Sequence, residues 1–410
     1  MNILQGKSIL LGITGSIAAY KGVELASRLT QEGALVDVIL TPSAQKFVTP
    51  LTFQSVTGRK AYTDEDLWGG EGHVTHIGLG RVGDILIVAP ASANTIARLA
   101  QGLADNLLCV SALAARCPLI IAPAMDAGMY SHPATQANVE ILKERGAAFI
   151  GPAAGHLASG LVGVGRMEET GVIMGAARWK LGRSGDLAGK KIIVTAGGTQ
   201  EAIDPVRIIS NRSTGKQGYA LAQAAIDHGA DLTLISANST LPAPFGCKLI
   251  DVNSAAGMLG AVMDEIQDAD GLIMAAAVAD FKPVKAEEEK IKKDTGIAAI
   301  AIEPTTDILA EVAHHRHSLP KLKFVIGFAA ESQDLLENAR IKLKKKKLDM
   351  IVANDISASD AGFGVDSNRV ILIQPDGSAE TLPLMTKFEV AEIILEKVAQ
   401  MLGMFSGVDQ

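Results

Sequence analysis

Cysteine is scarce in this chain: three in 410 residues, at Cys109, Cys117 and Cys247, with no CxxC spacing among them. That excludes a disulfide scaffold and a cysteine-rich zinc site, and it suits a reducing cytoplasm, where we expect the protein. No apolar run reaches the ~18 residues that a membrane helix needs. The first residues, Met1 to Lys7, run into a short strand rather than into the charged, apolar and small-residue succession of a secretory signal. Positive charge is not in excess either, since 38 Lys and Arg stand against 45 Asp and Glu, a net charge of -7. Without a basic field there is no general attraction for nucleic acid or an anionic membrane, so neither is expected as a partner, and any anion has to be caught by a local site.

What is present is apolar and glycine-rich. Hydrophobic residues make up 48% of the chain, aromatics only 4%, and 41 positions are glycine, a balance suited to α/β proteins whose buried parallel strands are rich in Val, Ile and Ala. The length exceeds the ~250 to 300 residues at which a single core stops growing, so two domains are expected.

The pattern restarts once. Ser8 to Ile13 reads as a strand that ends in Thr14-Gly15-Ser16 and feeds a helix from Ile17 to Glu32, closed by Gly33. Apolar strands at 35–40, 85–89, 119–122 and 148–150 then alternate with amphipathic segments near 94–115 and 134–145. This succession predicts a parallel sheet covered on both faces. At Lys190 to Thr195 a second strand–glycine turn begins, followed by a helix at 214–228 and strands at 232–236, 272–276, 323–328 and 350–353. Pro375-Asp376-Gly377 between two apolar runs predicts a hairpin, so the second sheet is mixed, and 387–402 reads as a closing helix. The polar, glycine-bearing stretch 178–189 reads as a linker between domains 1–177 and 190–410. The predicted fold class is therefore α/β, two doubly wound Rossmann-like domains, the first a flavodoxin-like parallel sheet.

A glycine turn at a helix start presents backbone N–H groups and the positive helix end to an anion. Gly12-Ile13-Thr14-Gly15-Ser16 has this form, but it lacks GxGxxG, and GxxxxGK[ST] is absent from the chain, so a mononucleotide fits better than NAD or a P-loop ligand. Pro90 to Thr95 follows a strand, where parallel sheets bind ligands, although Ser92 or Asn94 also serves as a helix cap. His76 precedes the strand at 85 and can shuttle protons if it reaches a cofactor rim.

Together, Gly12 to Lys21, His76, Pro90 to Thr95, Pro123 to Tyr130 and Gly163-Val164-Gly165-Arg166-Met167 resemble the flavin-dependent cysteine decarboxylases. The second half resembles phosphopantothenate-cysteine ligase through Ala196 to Thr199, Asp204 to Asn211, Ala276 to Phe281, Lys290 to Lys293 and Gly327 to Glu331. The resemblance covers nearly the whole chain and points to the bifunctional decarboxylase/ligase family of coenzyme A synthesis. It implies small-molecule substrates: phosphopantothenate, cysteine and CTP, with FMN as cofactor and Mg2+ or another divalent cation.

By this resemblance the ligase half activates a carboxylate as an acyl-cytidylate, which the cysteine amine then attacks. Asn211 holds the acyl-cytidylate, Arg207 assists the second half-reaction and Lys290 promotes activation, while Ala276, Asp280, Asp307, Phe328, Lys342 and Lys346 line the nucleotide site and Asp280 is the candidate metal ligand. Lys342 and Lys346, four apart, share a helical face. Residues 282–296 are expected to act as a lid. In the decarboxylase half, Gly15, Ser16, Thr41, Ser43, Ser92 and Asn94 belong to the FMN site, and His76 is the general acid/base. Flavin chemistry provides the electron sink that an alkyl carboxylate lacks.

Two positions depart from the family pattern. Asp126 replaces an Asn, and Ser159 replaces the proton-donating Cys. An amide donates to a substrate carboxylate whereas an ionised Asp only accepts, unless burial beside that carboxylate raises its pKa. Either this subfamily decarboxylates with Asp126 and another proton donor, or the flavin domain is a scaffold for a ligase. The retained His76, Arg166 and Met167 favour the first. A flavoprotein acting on peptidyl cysteine is opposed by the intact ligase half. The resemblance also implies homo-oligomers, with trimeric flavin domains and dimeric ligase domains.

Overall fold

The computed structural model describes residues 2–68, 75–292, 299–331, 335–355 and 364–403. It divides into two compact units, Met1–Leu181 and Gly182–Gln410. In the first, β1 (Ser8–Ile13), β2 (Leu35–Leu40), β3 (Ala61–Tyr62), β4 (Ile85–Ala91), β5 (Leu119–Pro123) and β6 (Ala148–Phe149) form one sheet in the order β3-β2-β1-β4-β5-β6. Every pairing is parallel, and this is the doubly wound order. The strands are apolar on both faces because helices cover both. All seven residues of β4, Ile-Leu-Ile-Val-Ala-Pro-Ala, are buried. One face packs Leu10, Ile39, Leu86, Val88 and Ile121 on Ile96, Leu107, Leu108, Val139 and Leu142.

The helix Ala19–Gln31 stops at Gly33, whose φ of 88° is left-handed and lets Ala34 donate back to Leu29 O at 3.1 Å. The amphipathic stretch near 94–115 is two helices rather than one, Ala93–Gln101 and Leu107–Ala114. Gly102 ends the first, and the Asn106 side chain caps the second by accepting from Cys109 N at 2.9 Å. A hairpin that periodicity did not indicate, β7 (Ala153–His156) with β8 (Val162–Arg166), follows β6. The helix Thr170–Gly182 includes residues 178–182, so the first part of the expected linker is helical.

The second unit repeats the order and extends it. Its strands are β9 (Lys191–Gly197), β10 (Gln200–Ala202), β11 (Ile208–Ser210), β12 (Asp231–Ala237), β13 (Lys248–Val252), β14 (Gly271–Met274), β15 (Phe281–Pro283), β16 (Ile302–Pro304), β17 (Phe324–Glu331), β18 (Met350–Asp355), β19 (Ser367–Asn368), β20 (Val370–Ile373), β21 (Ala379–Thr381) and β22 (Met385–Thr386). The main sheet runs β13-β12-β9-β14-β17-β18-β20-β21. Its first six strands are parallel; β20 and β21 pair antiparallel, so the sheet is mixed, and they form the hairpin around Pro375-Asp376-Gly377.

Side-chain alternation assigns the layers. Ile193, Ile235, Leu272, Val325 and Ile351 share a core with helices Ala255–Glu265, Ile308–His315 and Leu335–Lys345. Neighbouring Val194, Leu234, Ile273, Ile326 and Val352, all buried, face the other layer, where helices Lys216–Asp227 and Lys387–Met401 pack on one another. Gly271 makes room for the ring of Phe324, since a Cβ there would lie 1.9 Å from it. Phe324 is fully buried, which stabilises the fold by roughly 1.5–3 kcal/mol.

Candidate functional site

In each unit most of the candidate residues gather at the carboxyl edge of the parallel sheet, where loops leave the strands. In the first, the loops after β1, β2 and β4 meet. Thr14, fully buried, donates through Oγ1 to Pro90 O at 2.8 Å and accepts from Ser92 N at 2.9 Å, tying the first loop to the third. Thr41 N and Oγ1 both donate to Ile13 O, at 3.0 and 3.3 Å. Gly15 rests against Ser43, with no room for a side chain: a Cβ would lie 2.5 Å from Ser43 Cβ. Ser92 caps the helix Ala93–Gln101 by accepting from Thr95 N, and Asn94 is exposed on its first turn. Gly15, Ser16, Thr41, Ser43, Ser92 and Asn94 thus present hydroxyls, an amide and backbone N–H groups with no carboxylate among them. That donor set suits a phosphate-bearing ligand.

A cavity of about 360 Å³ adjoins this edge, lined by Ser16, Tyr20, Asp126, His156, Ser159 and Arg166 among others. The hairpin β7–β8 closes one side by packing on the loop after β5: Met125 N donates to Gly165 O at 3.0 Å, and a Cβ on Gly165 would lie 2.2 Å from Met125 O. Asp126 and Ser159 meet directly. Ser159 Oγ donates to Asp126 Oδ2 at 2.8 Å, and Gly128 N donates to Oδ1 at 2.9 Å. The Ser159 hydroxyl first, then the Gly128 N–H, hold the Asp126 carboxyl below its ordinary value, and burial opposes them only weakly. Asp126 is therefore held as an acceptor, and a second anion placed beside it would favour the acid form. Arg166 and the buried Lys21 both donate to Glu169 Oε1, at 2.7 and 3.1 Å, so two cations share one carboxylate at the cavity rim.

His76 does not line this cavity. It lies on the helix Thr75–Val82, and its Nδ1 is buried with no hydrogen-bond partner among the described residues.

The second unit brings its candidates together more completely. Asn211, Ala276, Asp280, Asp307, Phe328, Lys342 and Lys346 all line one cavity of about 470 Å³ at the carboxyl ends of β9, β14, β17 and β18. The loop after β14 is held rigidly: Ala276 N donates to Thr195 Oγ1 at 3.1 Å, Ala277 N to Gly197 O at 2.8 Å and Ala279 N to Thr199 Oγ1 at 2.9 Å. Asn211 Nδ2 reaches across to Val278 O at 2.9 Å. Asp307 caps the helix Ile308–His315 and pairs with Lys346 Nζ at 2.9 Å. Asp280 is exposed, and the described residues contain no cluster of three acidic, His or Cys side chains that would hold a metal by themselves.

Arg207 and Lys290 are outside the cavity wall but are linked through Asp204. The Asp204 carboxylate accepts from Val206 N, Arg207 N, Arg207 Nη1 and Ile291 N at 2.7–3.2 Å, and Arg207 donates to Ile291 O at 3.3 Å. Burial raises the Asp204 pKa, yet the Val206, Arg207 and Ile291 N–H groups and the Arg207 charge outweigh it and the net shift is downward. The expected lid is thereby anchored over its described part. Its β15 pairs with β16, Glu287 N donates to Ile203 O at 2.9 Å, and Ile291 is tied to Asp204, while 293–296 lie outside the described residues.

Sequence reasoning missed several lining residues: Lys216, Gln217, Asn354, Asn368 and Lys387. Lys216 had a signal, a lysine directly after Gly215 at a helix start. Lys387 had none, because it opens the last helix, far along the chain from the rest.

The chain matches the model of the Flavoprotein family over residues 2–180 and that of the DNA/pantothenate metabolism flavoprotein C-terminal domain over residues 187–402. The coenzyme A biosynthesis bifunctional protein CoaBC of Bacillus subtilis (strain 168) is 44% identical over 400 residues, covering 97% of this chain and 98% of its own. Its counterpart from Mycobacterium tuberculosis (strain ATCC 25618 / H37Rv) is 42% identical over 409 residues, with 97% of each chain covered. A crystal structure of the C-terminal domain of such a protein, 39% identical, overlaps 54% of this chain and 99% of its own with a TM-score of 0.46.

Proposed function

The chain belongs to the family of bifunctional coenzyme A biosynthesis proteins, with a flavoprotein decarboxylase unit followed by a ligase unit, and from that premise we propose how its own residues divide the work. The observation that carries the ligase reading is the convergence of Asn211, Ala276, Asp280, Asp307, Phe328, Lys342 and Lys346 on one cavity. CTP occupies it beside Phe328 and Ala276. The phosphopantothenate carboxylate attacks the α-phosphorus and pyrophosphate leaves; the cysteine amine then attacks the acyl carbon and CMP leaves. Charge accumulates on phosphoryl oxygens in the first step, and preorganised cations are the appropriate response. Lys342, Lys346 and Lys290 supply them, and Asp280 would be the protein's ligand for a divalent cation such as Mg2+, which would add positive charge beside the triphosphate. Asn211 holds the acyl-cytidylate, and Arg207 assists the amine's attack from a position fixed by Asp204.

In the first unit the loops of β1, β2 and β4 hold FMN, through Gly15, Ser16, Thr41, Ser43, Ser92 and Asn94. Bound there, FMN supplies the two-electron sink that loss of carbon dioxide from an alkyl carboxylate requires. The substrate carboxylate enters the cavity of Asp126 and Ser159, where Arg166 offsets its charge and one proton is shared with Asp126. Ser159 orients that proton. His76 is the general acid/base, and because it does not line the same cavity, a second copy of the chain brings it there; this supports the trimeric arrangement of flavin units, with ligase units paired as dimers.

Gly15→Val tests the cofactor loop. With Ser43 2.5 Å from the new Cβ, the loop must shift, and we expect the purified variant to carry less than about a tenth of the wild-type flavin absorbance while the ligase reaction is unaffected. For the function as a whole, phosphopantothenate, cysteine, CTP and magnesium are supplied together and the products identified by mass. Phosphopantetheine, CMP, pyrophosphate and carbon dioxide are expected; phosphopantothenoylcysteine accumulating on a flavin-loaded chain would overturn the decarboxylase half.

A further inference from the structure

Decarboxylation takes up one proton. In the net reaction the bond between the substrate carbon and its carboxylate breaks, carbon dioxide leaves without the bonding pair, and a hydrogen takes its place on the carbon. The thiol ends as it began and the two electrons passed to the flavin come back, so one proton from a donor completes the balance. That donor has to stand where the carboxylate was, in the cavity of Asp126 and Ser159.

Most groups in the wall of this cavity cannot serve. Arg166 does not give up its proton. Lys21 is 6% exposed, and its ammonium is committed to Glu169 Oε1 at 3.1 Å and Met167 O at 3.4 Å. Hydroxyls and phenols are poor acids at neutral pH, which sets aside Ser16, Tyr20 and Ser159, and the Ser159 hydroxyl already donates to Asp126 Oδ2 at 2.8 Å. The acid form of Asp126 is favoured only while the substrate carboxylate lies beside it, and the departing carbon dioxide then separates it from the carbon.

His156 is left. It lines the same cavity from the end of β7 and is exposed there, and no hydrogen bond or ion pair among the described residues engages its ring. The backbone around it is fixed. His156 pairs with Val162 across the hairpin, Leu157 N donates to Leu161 O at 2.8 Å, and Gly163 packs so closely on the helix Ala127–Ser131 that a Cβ would lie 2.7 Å from Ala127 Cβ. Arg166, which offsets the substrate's charge, runs alongside Gly155, the residue before His156: a Cβ there would lie 3.5 Å from Arg166 Cδ. An imidazole is the side chain whose ordinary titration falls near neutral pH, so it both holds a proton and releases it readily.

We propose that His156 is the general acid that protonates the substrate carbon after carbon dioxide leaves. Its ring N–H bond breaks, a C–H bond forms with the electron pair that the carboxylate left behind, and the neutral imidazole recovers its proton from solvent. His76 serves the thiol proton instead. This rests on the placement of the substrate carboxylate beside Asp126 proposed above. Without the proton, the electron pair stays in a carbon–carbon double bond, the substrate leaves as an enethiol, and its two electrons remain on the flavin.

The test is His156→Gln in the full-length, flavin-loaded chain, which keeps a polar side chain of similar size but not the acid. With phosphopantothenoylcysteine under anaerobic conditions, we expect first-turnover carbon dioxide release within about threefold of wild type, phosphopantetheine formation lowered about a hundredfold, and a product lighter by two hydrogens accumulating to about one equivalent per chain. The dissociation constant for phosphopantetheine, measured by calorimetry, changes less than about threefold, which separates proton delivery from binding. Phosphopantetheine formed at the wild-type rate would overturn the proposal, as would loss of first-turnover carbon dioxide or a loss of binding that matches the loss of rate. Asp126→Asn, which has no acidic proton, should still form phosphopantetheine; an enethiol from that variant would transfer the role to Asp126. The placement of the carboxylate fails separately, by an Asp126→Asn KM no lower than that of wild type at pH 8.

Discussion

Asp204→Ala is expected to lower ligase turnover about a hundredfold while leaving decarboxylation of supplied phosphopantothenoylcysteine unchanged. Asp204 is 2% exposed and its two carboxylate oxygens answer four N–H donors. Removing it strands backbone groups of Val206, Arg207 and Ile291, each at about 1–3 kcal/mol if no water reaches them. It also releases the Arg207 guanidinium and loosens the backbone beside Lys290, since Asp204 accepts from Ile291 N, 87 residues later in the sequence. Asp204→Asn should be milder, because the amide oxygen still accepts while its NH2 faces the Arg207 donors. Pyrophosphate release and carbon dioxide release, measured on the same preparation, separate the two activities; a ligase rate within threefold of wild type would refute the organising role. The pH consequence has a definite sign. A carboxyl whose folded pKa is depressed stabilises the fold fully above its unfolded value of about 3.9. That contribution is lost as pH falls through the folded value, so acid unfolding of the wild type should lose part of its pH dependence in the Ala variant.

The second large effect concerns Asp126. With its carboxyl held low by Ser159 and Gly128, the free enzyme is ionised across the neutral range, and a substrate carboxylate can enter only with a proton to share. The kcat/KM for decarboxylation should therefore fall about tenfold for each pH unit gained between roughly 6 and 8. Asp126→Asn carries no charge and donates to the carboxylate, so its profile should be flat over that range and its KM lower than that of wild type at pH 8. A wild-type profile already flat would show that Asp126 does not meet the substrate carboxylate. Ser159→Ala should shift the descending limb upward in pH, because the hydroxyl that stabilises the ionised form is gone.

Local chemistry was readable from the chain. Apolar runs such as Ile85 to Ala91 and glycine turns such as Gly15 and Gly33 encode strands and their exits without reference to anything distant. The break at Gly102 and Asn106 was equally local, a left-handed glycine and a helix cap, but the continuous amphipathic pattern masked it. The hairpin β7–β8 was hidden for a different reason. Its sequence is rich in glycine and alanine, and its pairing is stabilised by packing on the loop after β5 rather than by its own pattern.

The sequence by itself determined the two α/β units, the loops that end their strands, and the residue types able to hold phosphates. Each of these depends on steric and apolar preferences that act within a few residues. Only the tertiary structure decided which of them meet. Parallel strand order delivers Asn211, Ala276, Asp307, Phe328 and Lys346 to one cavity. A carboxylate at Asp204 governs a segment 87 residues later. Lys387 enters from the last helix near Lys216, and Ser159 lands on Asp126, whose pKa it helps to hold down. Electrostatic and hydrogen-bond effects of this kind depend on distances of a few ångströms between groups far apart along the chain, and those distances exist only once the sheets have formed.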